Sequence, residues 1–496
     1  MRRKSYIFGM LLGALSLGSC RVGPHYKVPN PPKGSDAPLV SVDNQLENTT
    51  PTPDAWWQLY DDSRLNEFIV EALHANRDLA LAEANFNAAR AVLSGARALH
   101  YPSTEIGLGG VYGRDPTTDE ILGLTGRAPQ STWILEDLFE ASYEIDLFGH
   151  VHNTIEAAST SADAVAAERD SVLVVIVAST ARSYAAICTV GEEISVARHS
   201  LAVVSKEADI VTRRYEIGGN SQFDVERAQA LVEQVRASIP TLEGEQRTAL
   251  FELTALLGRT PAYAPHDIES CITPPHLTSL VPVGDGTALI RRRPDVRRAE
   301  RRLASATAQV GVATAELYPI VRLSGFYGGV ATEFNQLGTN QGLAWGAGPS
   351  ISWNFPNQTG ARARVRQAKA GQAAALATFD STVLTALKET EQALSLYQAL
   401  IRNHDSLLAA RARIHRAFDI ASDQFSAGGV SNLDLLTTEQ SLVAADAAVA
   451  SSNAALVQGQ IAVFKALGGG WATKPSGSVT SRGPVSNGAN PTESYQ

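Results

Sequence analysis

Few residues in this 496-residue chain have the types and spacing that chemistry needs. His150 and His152 offer two imidazoles, which are usual ligands of zinc, but a zinc site takes three or four donors and the pair lacks a third one nearby. No Ser/His/Asp or Cys/His arrangement and no phosphate-binding loop stands out. The sequence therefore predicts a protein that is not an enzyme and that holds no metal and no cofactor.

A cluster of arginines between Arg291 and Arg302 has the density of a nucleic-acid-binding patch. The whole chain, however, has a formal net charge of −9 and only 19 % charged residues, so it exerts no bulk attraction on nucleic acid. We expect the cluster to solvate a helix start, to pair with Glu300, or to contact lipid head groups or a neighbouring chain. No nucleic-acid partner is expected.

The N-terminus has the pattern of an export signal. A basic start is followed by a short apolar run and then by Leu17-Gly18-Ser19-Cys20, which predicts a signal peptide over residues 1–19. The run is shorter than the ~20 residues of a spanning helix, which disfavours the alternative of an uncleaved membrane anchor. The segment resembles a bacterial lipoprotein signal, in which Cys20 becomes acylated, and Arg21 directly after it favours the outer membrane.

The sequence holds three cysteines in all. Cys188 and Cys271 remain after acylation of the first one, in an export compartment where thiols can oxidise. Because Cys188 falls in a helical pattern and Cys271 in a loop, we expect two unpaired cysteines rather than a disulfide.

The sequence contains a long internal duplication. Tyr101-Pro102 recurs as Tyr318-Pro319, at an offset of 319−102 = 217, and Gly218-Gly219 recurs as Gly428-Gly429, at an offset of 428−218 = 210. Each copy has the same order of a helix, two strands, a long helix and a further helix. Solenoid repeats are roughly 20–50 residues long, so this is a duplicated half-protein.

Period-2 alternation of apolar and polar or small residues marks two strands in each copy, around Leu108, Tyr143, Leu323 and Ile351, the last strand reaching Trp353 and Phe355. Such segments of about ten residues are typical of transmembrane β-strands and also of an ordinary half-buried sheet. The acylation signal favours the membrane interpretation. Four strands cannot close a barrel and open edges are not tolerated in lipid. If these strands span the membrane, several chains must therefore share one barrel, and three copies would supply twelve strands.

Helical periodicity predicts one helix from Ser63 to about His100 and two much longer helices, from Asn153 to Ile217 and from about Ala361 to Ala427. At about 1.5 Å per residue, a helix of 65 residues is roughly 97 Å long. No uninterrupted run of 18 apolar residues follows the signal, so no apolar spanning helix is expected.

Each long helix ends at a glycine pair, which is followed by Ser221 or Ser431 at an N-cap-like position. The helix after each pair carries apolar and small residues every seven positions, as in a coiled coil. In the second copy the main seam comprises Leu435, Leu442, Val449, Leu456 and Val463, and in the first Val225, Val232, Ile239, Gln246 and Leu253. Each copy should therefore form a helical hairpin with its tip far from the strands.

Several motifs in the same order resemble the lipoprotein branch of the outer membrane efflux proteins, the TolC-like ducts of the NodT or OprM type. They are residues 20–29, Trp56-Trp57, the segment 143–149 and Arg293-Pro294-Asp295-Val296. The resemblance covers Cys20 to Gly470. It implies an α+β membrane protein whose homotrimer joins a twelve-stranded β-barrel in outer membrane lipid to a twelve-helix periplasmic α-barrel. The implied partners are a periplasmic adaptor (membrane fusion protein) and an inner-membrane resistance-nodulation-division (RND) transporter.

The duplication and the resemblance together divide the chain. The expected parts are the signal peptide (1–19), an acylated tether (20–62), the first repeat (63–258), a connecting equatorial segment (259–286), the second repeat (287–468) and a disordered tail (469–496).

By the same resemblance, the hairpin tips form the periplasmic gate and receive the adaptor. The implied gate residues are Asp434, Thr437, Phe425, Gln424 and Tyr215, and the implied adaptor contacts are Gly218, Gly219, Ser221, Gly428, Gly429 and Ser431. Thr437 stands where many members carry a second aspartate, and Phe425 replaces a tyrosine that ties the closed state, so both an acidic double ring and the tyrosine lock are in question. Asp434 and Asp224 are also explained as first-turn residues that the helix dipole favours.

Other classes of protein fit the sequence less well. A periplasmic adaptor would carry one helical hairpin between lipoyl-like and barrel segments, and a surface enzyme would need a soluble catalytic fold. Within the resembling family, the alternative to efflux is the exit duct of a type I protein secretion system. The acylation signal and Arg293-Pro294-Asp295 favour RND-type efflux of small toxic compounds.

Overall fold

A computed structural model describes residues 21–42, 47–48, 50, 52–114, 131–277, 281–284 and 286–469. Cys20, the signal peptide and residues 470–496, most of the expected tail, lie outside the described residues, as does most of the loop between the first two long strands. Within the described residues the chain is mostly helical, with one sheet of four long strands and a small parallel pair, β1 (Glu47–Asn48) with β4 (Val281–Pro282).

The duplicated order of elements is confirmed. The first copy comprises α1 (Ser63–Ala75), α2 (Arg77–Ala98), β2 (Ser103–Gly113), β3 (Thr132–Ile145), α3 (His150–Glu216) and α4 (Gln222–Leu256). The second comprises α5 (Gly286–Arg292), α6 (Pro294–Ala315), β5 (Ile320–Ala331), β6 (Leu343–Ser352), α7 (Thr359–Ser426) and α8 (Asn432–Ala466). Between the copies lie two short 3-10 helices, Pro261–Tyr263 and His266–Ser270.

The single helix expected from Ser63 to about His100 is in fact two helices. The side chain of Asn76 accepts hydrogen bonds from the backbone N–H groups of Asp78 and Leu79, at 2.9 and 3.0 Å, and so caps a new helix. The first of the two helices is capped by Asp62, whose side chain accepts from the N–H of Leu65. The second copy breaks at the equivalent position, Arg293 (76+217), which precedes Pro294.

The four long strands form one antiparallel sheet in the order β2-β3-β5-β6. A row of large side chains crosses one face, because Ile106 pairs with Phe139, Phe139 with Tyr327 and Tyr327 with Trp345. All four are exposed, at 74, 45, 62 and 73 %. The last strand ends at Ser352, so Trp353 and Phe355 lie beyond it, where the Trp353 indole donates to the carbonyl of Leu317.

The two long helices are confirmed, with 67 residues in α3 and 68 in α7. The hairpin of α3 and α4 is called hairpin 1, and the hairpin of α7 and α8 is called hairpin 2; α3 and α8 also pack against each other. Much of the predicted seam is buried, including Val232 and Leu253 in α4 and Leu435 and Val463 in α8. The heptad pattern therefore marks the faces along which the helices associate.

Two described helices, α3 and α8, are long enough and apolar enough on average to cross a membrane. No such helix was expected from the sequence, because no long uninterrupted apolar run follows the signal. The mean hydropathy of a window can also be high where alanine and valine alternate with serine and threonine. The apolar window of α3 is 67 % buried inside the protein and that of α8 is 44 % buried, as in the core helices of other folds. They are weak evidence for a span.

The expectation of two unpaired cysteines is wrong, because Cys188 of α3 and Cys271 form a disulfide with Cα atoms 4.7 Å apart. A Cβ atom on Gly191 would lie 2.0 Å from the Cys271 carbonyl oxygen, so glycine permits this approach. The side-chain amide of Gln246 donates to the carbonyls of Ile187 and Glu269, at 3.2 and 3.0 Å. The two cysteines are 83 residues apart, and only the return of the chain along α4 brings them together.

The arginine cluster and the histidine pair form contacts within the protein. Arg301 pairs with Glu300 as expected, and Arg297 pairs with the buried Asp170 of α3. Arg293 is 8 % exposed and pairs with Asp295 and Glu389. His150 contacts Glu144 at 3.0 Å and His152 contacts Arg21 at 3.1 Å. The cluster thus joins α6 to its neighbours.

Candidate gate at the hairpin tips

The two hairpin tips have nearly the same backbone. Gly218 and Gly428 adopt positive φ angles of 81° and 76°, which glycine accepts without strain. The N–H of Gly219 donates to the carbonyl of Arg214 and that of Gly429 to the carbonyl of Gln424, both at 2.7 Å. All four glycines are exposed. The residues expected to contact an adaptor thus form two exposed and equivalent turns.

The helix that leaves each tip begins with a reciprocal capping box. Ser431 Oγ accepts from the Asp434 N–H at 3.2 Å, and the Asp434 carboxylate accepts from the Ser431 N–H at 3.2 Å. Ser221 and Asp224 make the same pair of bonds at 3.2 and 3.0 Å. The helix-capping role of both aspartates is therefore present in the structure. Asp434 is also exposed, so a capping role does not exclude a role in a gate.

Side chains from the two tips meet at Phe425 and Asp224. Phe425 is only 6 % exposed, and the guanidinium of Arg214 lies 4.1 Å from its ring centroid, a cation–π contact between hairpins. The pKa of Asp224 is lowered by hydrogen bonds, chiefly from Ser221 and to a smaller extent from the side chain of Asn432, which belongs to the other hairpin. The tips are thus tied within one chain although Phe425 lacks a hydroxyl.

The remaining expected gate residues are exposed. Thr437 donates its hydroxyl to the Leu433 carbonyl at 2.7 Å, within its own helix. Tyr215 is 44 % exposed and Gln424 is also exposed. Within one chain these side chains, unlike Phe425 and Arg214, are available to a neighbouring subunit.

An apolar cluster lies behind the tips and contains an acidic residue that the sequence analysis did not single out. Val204, Val211, Leu231 and Leu436 are among the buried residues that join α3, α4 and α8. Beside them lies Glu439, which is 1 % exposed. Its pKa is raised to about 7, mainly by burial and to a smaller extent by the charge of Glu207. The duplication offered one signal in the sequence. The position equivalent to Glu439 in the first copy is Gln229 (439−210), so the acid stands where the other copy has an uncharged residue.

Within the described residues, no cluster of three or more histidine, cysteine or acidic side chains is arranged to hold a metal ion.

Comparisons with known proteins agree with this architecture. The family model "Outer membrane efflux protein" matches residues 68–259 and 287–469, which are the two copies of the duplication. The chain belongs to the outer membrane efflux protein family.

Individual relatives match over nearly the whole length. Nodulation protein T of Rhizobium leguminosarum bv. viciae is 30 % identical over 468 residues, which is 92 % of each chain. The pyoverdine export outer membrane protein OpmQ of Pseudomonas putida is 29 % identical and covers 89 % of this chain and 92 % of its own. The solved outer-membrane channel OprN superposes with a TM-score of 0.84 at 32 % identity, over 91 % of this chain and all of that one. The protein is an outer membrane efflux channel.

Proposed function

We propose that the chain works as a homotrimeric exit duct of a tripartite RND-type pump, which passively conducts small toxic compounds out of the cell. The observation that carries this proposal is the four-stranded sheet, in which β2 and β6 each pair on one side only. Unpaired edges are not tolerated in hydrocarbon, and closure with equivalent strands of other copies would remove them. Three copies give twelve strands, an even number within the range of known barrels.

The two faces of the sheet support a barrel wall. The row from Ile106 to Trp345 supplies an exposed apolar face that suits lipid, and Tyr112 packs against Trp133 near one end, as in an aromatic girdle. The opposite face is richer in polar and small residues, with the hydroxyls of Ser142 and Ser324 3.3 Å apart, although it also carries Phe326 and Val330. A wet lumen lined this way selects weakly among solutes, so the choice of substrate falls to the pump.

The helical hairpins would continue the duct into the periplasm, with twelve helices from three copies. A helix of 67 residues spans roughly 100 Å at about 1.5 Å per residue, enough to reach towards an inner-membrane transporter. Acylation of Cys20 would anchor the tether in outer membrane lipid. The tether docks on the body, because Trp56 is fully buried and stacks on Phe464 at 4.7 Å.

The tips would form both the gate and the adaptor contact. Three copies of Asp434 around an axis would repel one another and attract cations, with Thr437, Gln424 and Tyr215 beside them. Adaptor binding at the exposed glycine turns would favour the splayed state of a two-state gate. The contact of Arg214 with Phe425 opposes this splaying within each chain.

A deletion strain tests the duct. We expect it to become sensitive to toxic compounds, to be rescued by the wild-type chain, and to yield a heat-sensitive trimer in the outer membrane fraction whose purified form conducts in planar bilayers. An acylated protein that is monomeric in detergent and forms no pore would refute the proposal. The part of the chain that the structure describes does not favour the alternative of protein secretion, and unchanged drug sensitivity with loss of an exported protein would support it instead.

A further inference from the structure

A buried acidic group stands at the contact between the two hairpins, about two helical turns into α8 from its start at the tip. Glu439 of α8 is 1 % exposed, and its Oε1 atom has no hydrogen-bonding partner among the described residues. A buried carboxylate with an oxygen that has no partner is costly in a low-dielectric setting, whereas the neutral acid is tolerated. The position therefore favours a bound proton.

The surroundings of Glu439 are apolar apart from a second acid, Glu207, and the amide side chain of Asn432. Among the described residues, the small cavity beside it is lined by α3, α4 and α8: Val204, Glu207, Ala208, Val211, Ala228, Leu231, Asn432, Leu435 and Leu436. Glu207 is the only other lining residue that titrates. Its pKa is raised by burial, while Arg214 and Lys206 on the same helix act in the opposite direction.

The positions of the two acids link the proton to the packing of the hairpins. Glu207 belongs to hairpin 1 and Glu439 to hairpin 2, and Leu436, one turn before Glu439, is part of the apolar cluster that joins α3 to α8. If α8 separates from α3, Glu439 gains water and the like charge of Glu207 moves away. Separation therefore favours the ionised form, and close packing favours the protonated form.

We propose that Glu439, with Glu207, is a proton-binding site that stabilises the packed arrangement of the two hairpins and releases its proton when they separate. This inference rests on the proposed function in so far as separation of the hairpins opens a duct.

Proton linkage sets the direction in which pH shifts the packing of the hairpins and the pH range over which it does so. In the packed state the pKa of Glu439 is raised to about 7, and in a separated, hydrated state it returns towards 4.5. Below pH 4.5 both states hold the proton, and above pH 7 neither does. Between these values only the packed state holds it, so the ratio of separated to packed hairpins should rise by up to about tenfold per pH unit in each protomer.

The test is a pH series on the purified trimer in planar bilayers at fixed KCl. The wild type should open more often as the pH rises from 4.5 to 7. Glu439→Gln keeps the shape of the side chain but cannot ionise, so it should stay at the low-pH level throughout. Glu207→Gln removes the like charge and should move the midpoint to lower pH. The matched control is Gln229→Glu, which places the same acid at the equivalent but exposed position of α4 and should leave the profile unchanged.

Coincident pH profiles of the wild type and Glu439→Gln would overturn the inference. A profile that follows KCl concentration at constant pH, and that Glu439→Gln abolishes, would also overturn it and indicate a cation site. If the wild type forms no pore, the proposed function fails, and the proton site is tested separately by thermal unfolding. The stability of the wild type relative to Glu439→Gln should then fall as the pH rises towards 7, and an equal dependence on pH would refute the site.

Discussion

The two hairpins have equivalent tips, but different interactions hold their long helices at mid-length. Cys188 of α3 and Gln398 of α7 are equivalent positions (398−188 = 210), and each holds an extended segment against its helix. Cys188 makes a covalent bond to Cys271, whereas Gln398 donates a hydrogen bond to the Ser41 carbonyl. The same place in the two copies thus has a permanent tie in one and a reversible tie in the other.

This difference suggests a division of labour after the duplication. Hairpin 1 is braced against the connecting segment and contributes Arg214 to the contact between the tips. Hairpin 2 is held by the tether, because Glu391 accepts from the N–H groups of Val40 and Ser41 at 2.7 and 2.9 Å. Hydrogen bonds can be exchanged with water and a disulfide cannot, so we expect hairpin 2 to be the more mobile of the two.

The largest expected effect comes from removal of the disulfide. Cys188→Ser should destabilise the region around hairpin 1 by roughly 2–4 kcal/mol, because the bond constrains a loop of 83 residues in the unfolded chain. Hydrogen exchange should show the loss in α3 and α4 first. The matched variant Gln398→Ala should cost about 1 kcal/mol, a typical hydrogen bond, and act on α7. Equal effects of the two variants would contradict the comparison.

A smaller loss is expected when the approach to the disulfide is blocked. Gly191→Ala places a methyl group 2.0 Å from the Cys271 carbonyl, so the segment must shift at a cost of about 1–3 kcal/mol. The control is Gly244→Ala, since nothing lies within 4 Å of a Cβ atom there and alanine is the better helix former. Thermal unfolding of both variants checks this. Similar melting temperatures would show that the close approach is not required.

The caps should act equally in both hairpins. Ser221→Ala and Ser431→Ala each remove the side-chain bond to the first turn and should each cost about 1 kcal/mol. The pKa of Asp224 is lowered in the folded protein. The stability that its ionised carboxylate contributes to the cap at Ser221 is therefore fully present above about pH 3.8 and is lost as the pH falls below the lowered pKa. Local exchange rates at the two tips measure the effect. A clear difference between the two tips would contradict the expectation that the caps are equivalent.

The smallest expected effect on stability concerns the cation–π contact. Arg214→Gln should cost about 0.5–1 kcal/mol and increase leakage of antibiotics, since it frees Phe425 from hairpin 1. Arg213→Gln is the control, because Arg213 is 78 % exposed and its pairing with Asp209 at 3.8 Å contributes little. Leakage that is unchanged by Arg214→Gln, or equal for both variants, would remove the contact from the gate.

Features that depend on nearby residues could be predicted from the sequence, and those that depend on distant ones could not. The strands, the long helices and the serine caps each follow from a local pattern, and they were confirmed, except that the last strand ends at Ser352 and does not reach Trp353 and Phe355. The bond between Cys188 and Cys271 and the burial of Glu439 depend on how α3, α4 and α8 pack, which no local pattern records. The break at Asn76 was missed although Asn is a good N-cap, because the apolar periodicity continues across it.

The disulfide between Cys188 and Cys271 also determines whether proteolytic cleavage at one tip or the other releases separate fragments. A protease that cleaves after Arg214 acts inside the ring closed by the bridge, so its two fragments migrate as one species on a denaturing gel until a thiol is added. Cleavage near Gln424 separates the fragments at once, because the sequence has no cysteine beyond Cys271. One gel, run with and without reductant, therefore reports which of the two turns was accessible.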